Sequence, residues 1–223
     1  KLEEITKRPN DSRLVASLAA HSAINFDKKI EYNFCKNPLD FIYKEKIDKN
    51  TSNNLKEFIK NNNIDYRHQP LLHNAEQSAG NIFAFEESII KELEIIIFNK
   101  VEKYKEKFKN ENCEYIKKWP IKRKVRGWSV KMKKDGFLKP HIHEGGWLSG
   151  VIYLELPEKN NDEGMIAFGL DGQNYPKLHN DFPIKVEHIS EGDIILFPSS
   201  LFHRTIPFKD VKERLCIAFD INP

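Results

Sequence analysis

Two histidines one residue apart, in Pro140-His141-Ile142-His143, and a third at the end of Phe197-Pro198-Ser199-Ser200-Leu201-Phe202-His203, are the side chains of this sequence best suited to chemistry. On a strand, or just past its end, residues i and i+2 point the same way, so His141 and His143 can converge on one point. Neutral imidazole is the commonest metal ligand. A third imidazole from a neighbouring strand would close one face of an octahedron and leave the other face to substrate and oxygen. Taken alone, His-x-His is a weak signal, and a single histidine beside a strand is usually a surface or hydrogen-bonded residue. The rest of the set adds weight. Arg214 opens a segment otherwise made of Leu215, Cys216, Ile217, Ala218 and Phe219, and an arginine facing a barrel interior is costly unless it meets an anion. Ser149 and Tyr153 are four residues apart on one expected strand and so share a face. With Arg214 they could grip a carboxylate, the guanidinium through a two-pronged fork.

The elements that must position these groups fall into two halves. In the first, Asp11 to about Ile24 reads as a short helix capped by Asp11 or Ser12. A short strand is expected within 31–43 (Glu31 to Tyr43), and a second short helix around Leu55, Phe58 and Ile59 before the Asn61-Asn62-Asn63 break. The strongest helix spans about Glu86 to Phe108, because Ile89, Ile90, Leu93, Ile97, Val101, Tyr104 and Phe108 recur every three or four residues on one face. After Lys117 the period falls to two. Trp128, Val130 and Met132 alternate with Ser129, Lys131 and Lys133, and further strands are expected at Leu148–Leu156, Met165–Leu170, Ile184–Ile189, Asp193–Phe197 and Leu215–Ile221. Turns are expected at Asp135-Gly136, Glu163-Gly164, Asp171-Gly172 and Glu191-Gly192. Many short strands with no helix between them predict an antiparallel barrel or sandwich. The expected organisation is therefore a helical region over 1–116 packed on a mainly β core over 117–223, as one integrated domain.

Bulk properties bound the function. The 223 residues can bury one sizeable core. A net charge of +3, from 36 basic and 33 acidic residues, is too balanced to imply nucleic acid. The segment Lys117–Arg126 is basic with an interleaved Trp119, a pattern more typical of a solvated sheet edge. Three cysteines (Cys35, Cys113 and Cys216) show no close pairing, which points to a reducing, cytoplasmic setting. No apolar run approaches the roughly 20 residues of a membrane span. The sequence begins at Lys1 and reads as trimmed or cut from something longer.

Pro140–Leu154 and Gly192–Phe219 resemble the iron(II)- and 2-oxoglutarate-dependent oxygenases, including the prolyl-hydroxylase-like branch and above all the bacterial and phage 2-oxoglutarate–iron oxygenases. The shared pattern is His-x-His, Ser-Gly-Val-x-Tyr-Leu, Gly-Asp-x-x-x-Phe-Pro-Ser-x-x-x-His and Arg-x-x-Ile-Ala-Phe. The resemblance covers about residues 117–223. It implies a double-stranded β-helix, the jelly-roll barrel shared with cupins, with His141 and His203 as iron ligands and His143 where the superfamily usually has Asp or Glu. It further implies Arg214, Tyr153 and Ser149 at the distal carboxylate of 2-oxoglutarate, and hydroxylation of a small-molecule or peptidyl substrate by molecular oxygen with release of succinate and CO2. Ascorbate would be an auxiliary reductant. At position 143 two alternatives stay open: a two-histidine site, or Glu144 as the third ligand. Leu138, Trp147, Phe168 and Phe202 are candidate pocket walls, and 160–163 and 172–181 are candidate lids. Two rival functions are a three-histidine cupin dioxygenase that does not use 2-oxoglutarate and a non-catalytic binding barrel. The first lacks the Glu that cupins carry three or four residues after His-x-His, and leaves Arg214 without a role.

Overall fold

The computed structural model describes residue 4 and residues 12–29, 32–158, 161–172 and 175–223. In chain order these form α1 (Arg13–Asn25), β1 (Tyr43–Lys46), α2 (Lys49–Asn61), β2 (Tyr66–Arg67), β3 (Leu72–Ser78), α3 (Ser88–Phe108) and the single turn α4 (Glu114–Lys117). There follow β4 (Lys124–His141), β5 (Leu148–Glu155), β6 (Ile166–Gly169), β7 (Ile184–Glu187), β8 (Asp193–Pro198), β9 (Phe202–Thr205) and β10 (Arg214–Asn222). The strands join antiparallel in the order β1-β8-β5-β10-β4-β9-β6-β7, with β3 also on β4 and β2 on β3. This is the mainly β fold with packed helices expected above, a rolled double-stranded β-helix.

β4 ties the roll together. Its first part, Lys124–Met132, pairs with β10, and its last part pairs with β9 through Leu138 and His141. The expected turn at Asp135-Gly136 is instead a bulge that β4 passes through. Asp135 has φ 62° and Asn74 opposite it has φ 44°, and the β3–β4 register shifts between His73 and Ala75. Residues 133–136 stand there against Asn74 alone, and extra residues of this kind bend a strand sharply, which lets one strand serve both layers. Gly136 is required there, because a Cβ would stand 2.5 Å from the Lys133 carbonyl oxygen and 2.9 Å from Met132 Cβ.

β5, β8 and β10 are buried on both faces, which is why they read as almost unbroken apolar runs. Ile152, Leu154, Ile194, Leu196, Leu215, Ile217, Phe219 and Ile221 pack with the helices, on Leu55, Ile59, Ile90, Leu93, Ile97 and Val101. Val151, Tyr153, Ile195, Phe197 and Cys216 belong to the barrel interior with Val130, Met132 and Phe168. The α3 stripe is as expected except that Ile89 is only partly buried.

In α1, Ser12 is the cap: its hydroxyl accepts from the Val15 N–H at 3.3 Å. Asp11 lies outside the described residues. α2 begins earlier than its apolar residues suggested, because Asp48 caps it by accepting from the Thr51 N–H at 2.9 Å. The strand expected within 31–43 is replaced by a 3-10 turn over Pro38–Phe41, with β1 starting only at Tyr43; Glu31 lies outside the described residues. The first half is not purely helical, since β1, β2 and β3 join the same sheet.

Candidate metal and cosubstrate site

The antiparallel register of β4 and β9 sets His141 directly opposite His203, and their ring centres are 4.2 Å apart. His143 lies two residues beyond β4, in a loop held where the His143 N–H donates to the Ser199 carbonyl at 3.0 Å. Each of the three residues offers a ring nitrogen within 4.8 Å of the others. Each Nδ1 has an oxygen partner: the Lys139 carbonyl for His141 at 2.9 Å, the Leu201 carbonyl for His203 at 3.1 Å and Asp220 Oδ1 for His143 at 2.6 Å. An Nδ1–H donating to each oxygen leaves every Nε2 with its lone pair free. The Nε2 atoms of His141 and His143 are 3.1 Å apart. Two lone pairs at that distance repel unless a cation stands between them. Two nitrogens each about 2.1 Å from one ion at a right angle would be about 3.0 Å apart, so the arrangement fits a metal.

Burial, reinforced by the neighbouring imidazoles, lowers the His141 pKa to about 4 and holds His203 well below the usual histidine range. Both rings are therefore neutral and ready to ligate at neutral pH. Between pH 6.5 and about 4 the unfolded chain takes up a proton that folded His141 refuses, so metal-free stability falls as pH falls and is unaffected above 6.5. At pH 5 the loss from His141 is about 2 kcal/mol. Chemical denaturation in chelator should show it, and His141→Gln should flatten the slope; equal slopes in the two proteins would contradict this account.

The three histidines line one region of a cavity of about 390 Å³, which Tyr153, Arg214, Val130, Met132 and Cys216 also line. The walls are mainly apolar. Arg214 is 2% exposed. Its Nε donates to the Gly164 carbonyl at 3.0 Å, and Nη1 meets only Cys216 Sγ at 3.5 Å and Met132 Sδ at 3.9 Å. No carboxylate pairs with it among the described residues. Its guanidinium carbon lies 5.1 Å from the centre of the Tyr153 ring. The Tyr153 hydroxyl is buried without a hydrogen-bond partner, and burial keeps it protonated by raising its pKa, against the opposing pull of Arg214. An unpaired cation and an unpaired donor in one cavity fit an anion with oxygen acceptors.

Ser149 stands elsewhere than expected. It shares the inward face with Tyr153 but lies at the His143 end, where its hydroxyl donates to Asp220 Oδ1 at 2.6 Å and is 2.8 Å from Ser199 Oγ. It does not line the cavity. The geometry moves it from the cosubstrate end to the support of His143. Glu144 is exposed and is not among the clustered ligands. Of the four expected walls, only Leu138 lines this cavity. Trp147 is packed against Phe34 and stacked on Tyr115, Phe168 is core, and Phe202 meets Tyr175. Trp119, on the basic segment, is buried against Tyr104 and Tyr115 and offers no stacking face. Of the candidate lids, Asn160, Gln173 and Asn174 lie outside the described residues. Sequence reasoning missed Asp220, although a signal existed: it is six residues after Arg214 and so has the same inward parity on β10.

Residues 126–220 match the sequence model of a family described as "Putative 2OG-Fe(II) oxygenase". No curated protein matches the sequence. Among solved structures, a Pseudomonas putida prolyl-4-hydroxylase superposes with a TM-score of 0.56 at 10% identity, over 81% of this chain and 91% of its own. HygX from Streptomyces hygroscopicus, crystallised with nickel, 2-oxoglutarate and hygromycin B, superposes with a TM-score of 0.59 at 14% identity, over 82% and 83%. A Trichoplax adhaerens prolyl hydroxylase, in complex with a hypoxia inducible factor peptide fragment, gives 0.55 at 14% identity, over 100% and 93%. At such identities these structures establish the shared fold.

Proposed function

We propose that the chain is, through its barrel, an iron(II)- and 2-oxoglutarate-dependent oxygenase, the family whose sequence model residues 126–220 match, and that His141, His143 and His203 hold iron(II) while Arg214 and Tyr153 hold the distal carboxylate of 2-oxoglutarate. The observation that carries this reading is the buried Arg214, without an anionic partner among the described residues, in the same cavity as three imidazoles whose Nε2 lone pairs are free. When bound, iron(II) would let molecular oxygen oxidise 2-oxoglutarate to succinate and CO2 and hydroxylate a C–H bond of the substrate, one oxygen atom entering each product.

The protein's own part is positioning and exclusion. Arg214 neutralises the far carboxylate, and the protonated Tyr153 hydroxyl donates to it, so the reactive end of the cosubstrate is aimed at the histidines. Val130, Met132, Val151 and Ile166 keep that path dry. Neutral His141 and His203 offer lone pairs without first losing a proton. Trp128, whose ring centre is 5.5 Å from that of His143, and Leu138 are the residues a substrate would meet beside the metal. Residues 1–116 and 117–223 act as one integrated domain, since β1 and β3 are strands of the barrel's own sheet. The three free, buried cysteines suit a reducing cytoplasm.

The test is succinate formation from 2-oxoglutarate with iron(II), in the wild type beside His203→Ala and Arg214→Ala. If 2-oxoglutarate neither binds nor turns over in the wild type, the reading fails, and a cupin chemistry independent of it gains. Tyr153→Phe gives a finer check. Its hydroxyl has no protein partner to lose, so the melting temperature should hold or rise. The 2-oxoglutarate KM should increase about 10–100-fold, the worth of one hydrogen bond to a charged group. An unchanged KM would remove Tyr153 from the site.

A further inference from the structure

The third imidazole stands where a carboxylate ligand is usual, and a carboxylate lies directly behind it. Asp220 Oδ1 is 2.6 Å from His143 Nδ1 and accepts from the Ser149 hydroxyl at 2.6 Å. Asp220 is 9% exposed, and no lysine or arginine pairs with it among the described residues. The backbone is shaped around this group. The Trp147 N–H donates to the Ile221 carbonyl at 2.8 Å, and the Ser199 N–H donates to the Trp147 carbonyl at 3.2 Å. The connecting loop passes Asp220 at Gly146, where a Cβ would stand 2.5 Å from Ser199 Oγ and 3.1 Å from Asp220 Cγ. A carboxylate this enclosed is costly without hydrogen-bond donors, and those that face it are the His143 ring and the Ser149 hydroxyl.

We infer that Asp220 is the positioning carboxylate of the metal centre: it holds His143 as the Nδ1–H tautomer with Nε2 turned to the ion, and it supplies through the ring the negative charge that a directly bound carboxylate would bring. This rests on the reading of His143 as a ligand. A carboxylate that accepts the outer N–H of a ligating imidazole fixes its orientation and raises its basicity, and losing such a partner costs about 10–100-fold in metal affinity. The same geometry accounts for the residue type at 143. An aspartate there would place a second carboxylate against Asp220, and like charges at that distance oppose each other's ionisation.

Titration of the metal-free protein with cobalt(II), followed by calorimetry and by the visible spectrum of the bound ion, tests this in four variants checked for folding by thermal unfolding. Asp220→Asn should raise the cobalt(II) Kd about 10–100-fold and shift the spectrum. In a His143→Asp background the same Asp220→Asn change should lower the Kd, since there it removes repulsion instead of support. That reversal of sign is not expected of a merely structural residue. If Asp220→Asn leaves the affinity unchanged, or weakens it by one factor in both backgrounds, the inference is overturned. His143→Ala separates the two levels: wild-type cobalt(II) affinity in that variant would remove His143 from the ligand set, and the proposed three-histidine centre with it. Weakened binding in His143→Ala beside an inert Asp220→Asn would reject Asp220 alone. Should Asp220→Asn not fold, Ser149→Ala, which removes one donor from the carboxylate, should move the affinity in the same direction by a smaller factor; no change there would equally count against the inference.

Discussion

Replacing His203 with alanine is expected to abolish 2-oxoglutarate turnover and weaken iron(II) binding by more than about 100-fold, beyond the 10–100-fold typical of losing only an outer partner of a ligand. The size of the effect follows from where the ring sits. His203 is 5% exposed, pressed against Phe197 with ring centres 4.6 Å apart and opposite His141 across the β4–β9 ladder. No other described side chain belongs to the ligand cluster. The folded state should survive, because a neutral, costly-to-bury imidazole is removed and its one hydrogen bond, to the Leu201 carbonyl, goes with it. Calorimetric titration of the metal, beside a thermal melt in chelator, checks both halves. Retained iron affinity in a folded variant would mean that the three-histidine cluster is not the metal site.

Arg214→Met should have the second-largest effect, and it should split stability from binding. Breaking a buried charge pair costs about 3–5 kcal/mol, so 2-oxoglutarate affinity should fall by roughly 10²–10³-fold or more. Without cosubstrate the same variant should melt no lower than the wild type, since Arg214 then holds a buried charge with no carboxylate beside it. Saturating 2-oxoglutarate should raise the wild-type melting temperature and leave that of the variant where it was. Equal thermal protection of the two proteins would detach Arg214 from the cosubstrate.

The amino-acid sequence by itself determined the chemistry on offer and most of the frame. Periodicity marked α3 and the first part of β4, and unbroken apolar runs marked β5, β8 and β10, because both are local properties that each segment carries on its own. The types and spacing of His141, His143, His203 and Arg214 pointed to a metal and an anion, since a buried guanidinium is costly unless it meets an anion and neutral imidazole is the commonest metal ligand. The tertiary structure alone decided how these groups divide the site. The bulge at Asp135-Gly136 looks like a turn in sequence, because a left-handed residue followed by glycine serves both, and only pairing on either side tells them apart. Ser149 and Tyr153 share a face by parity, yet they reach opposite ends of the interior, because the strand rises about 3.3 Å per residue and so separates them by about 13 Å. The role of Asp220 depended on a contact across 77 positions, formed only when β10 lies beside β5 and the loop after β4 folds over both. Which residue touches which histidine is a property of that packing, and no local pattern encodes it.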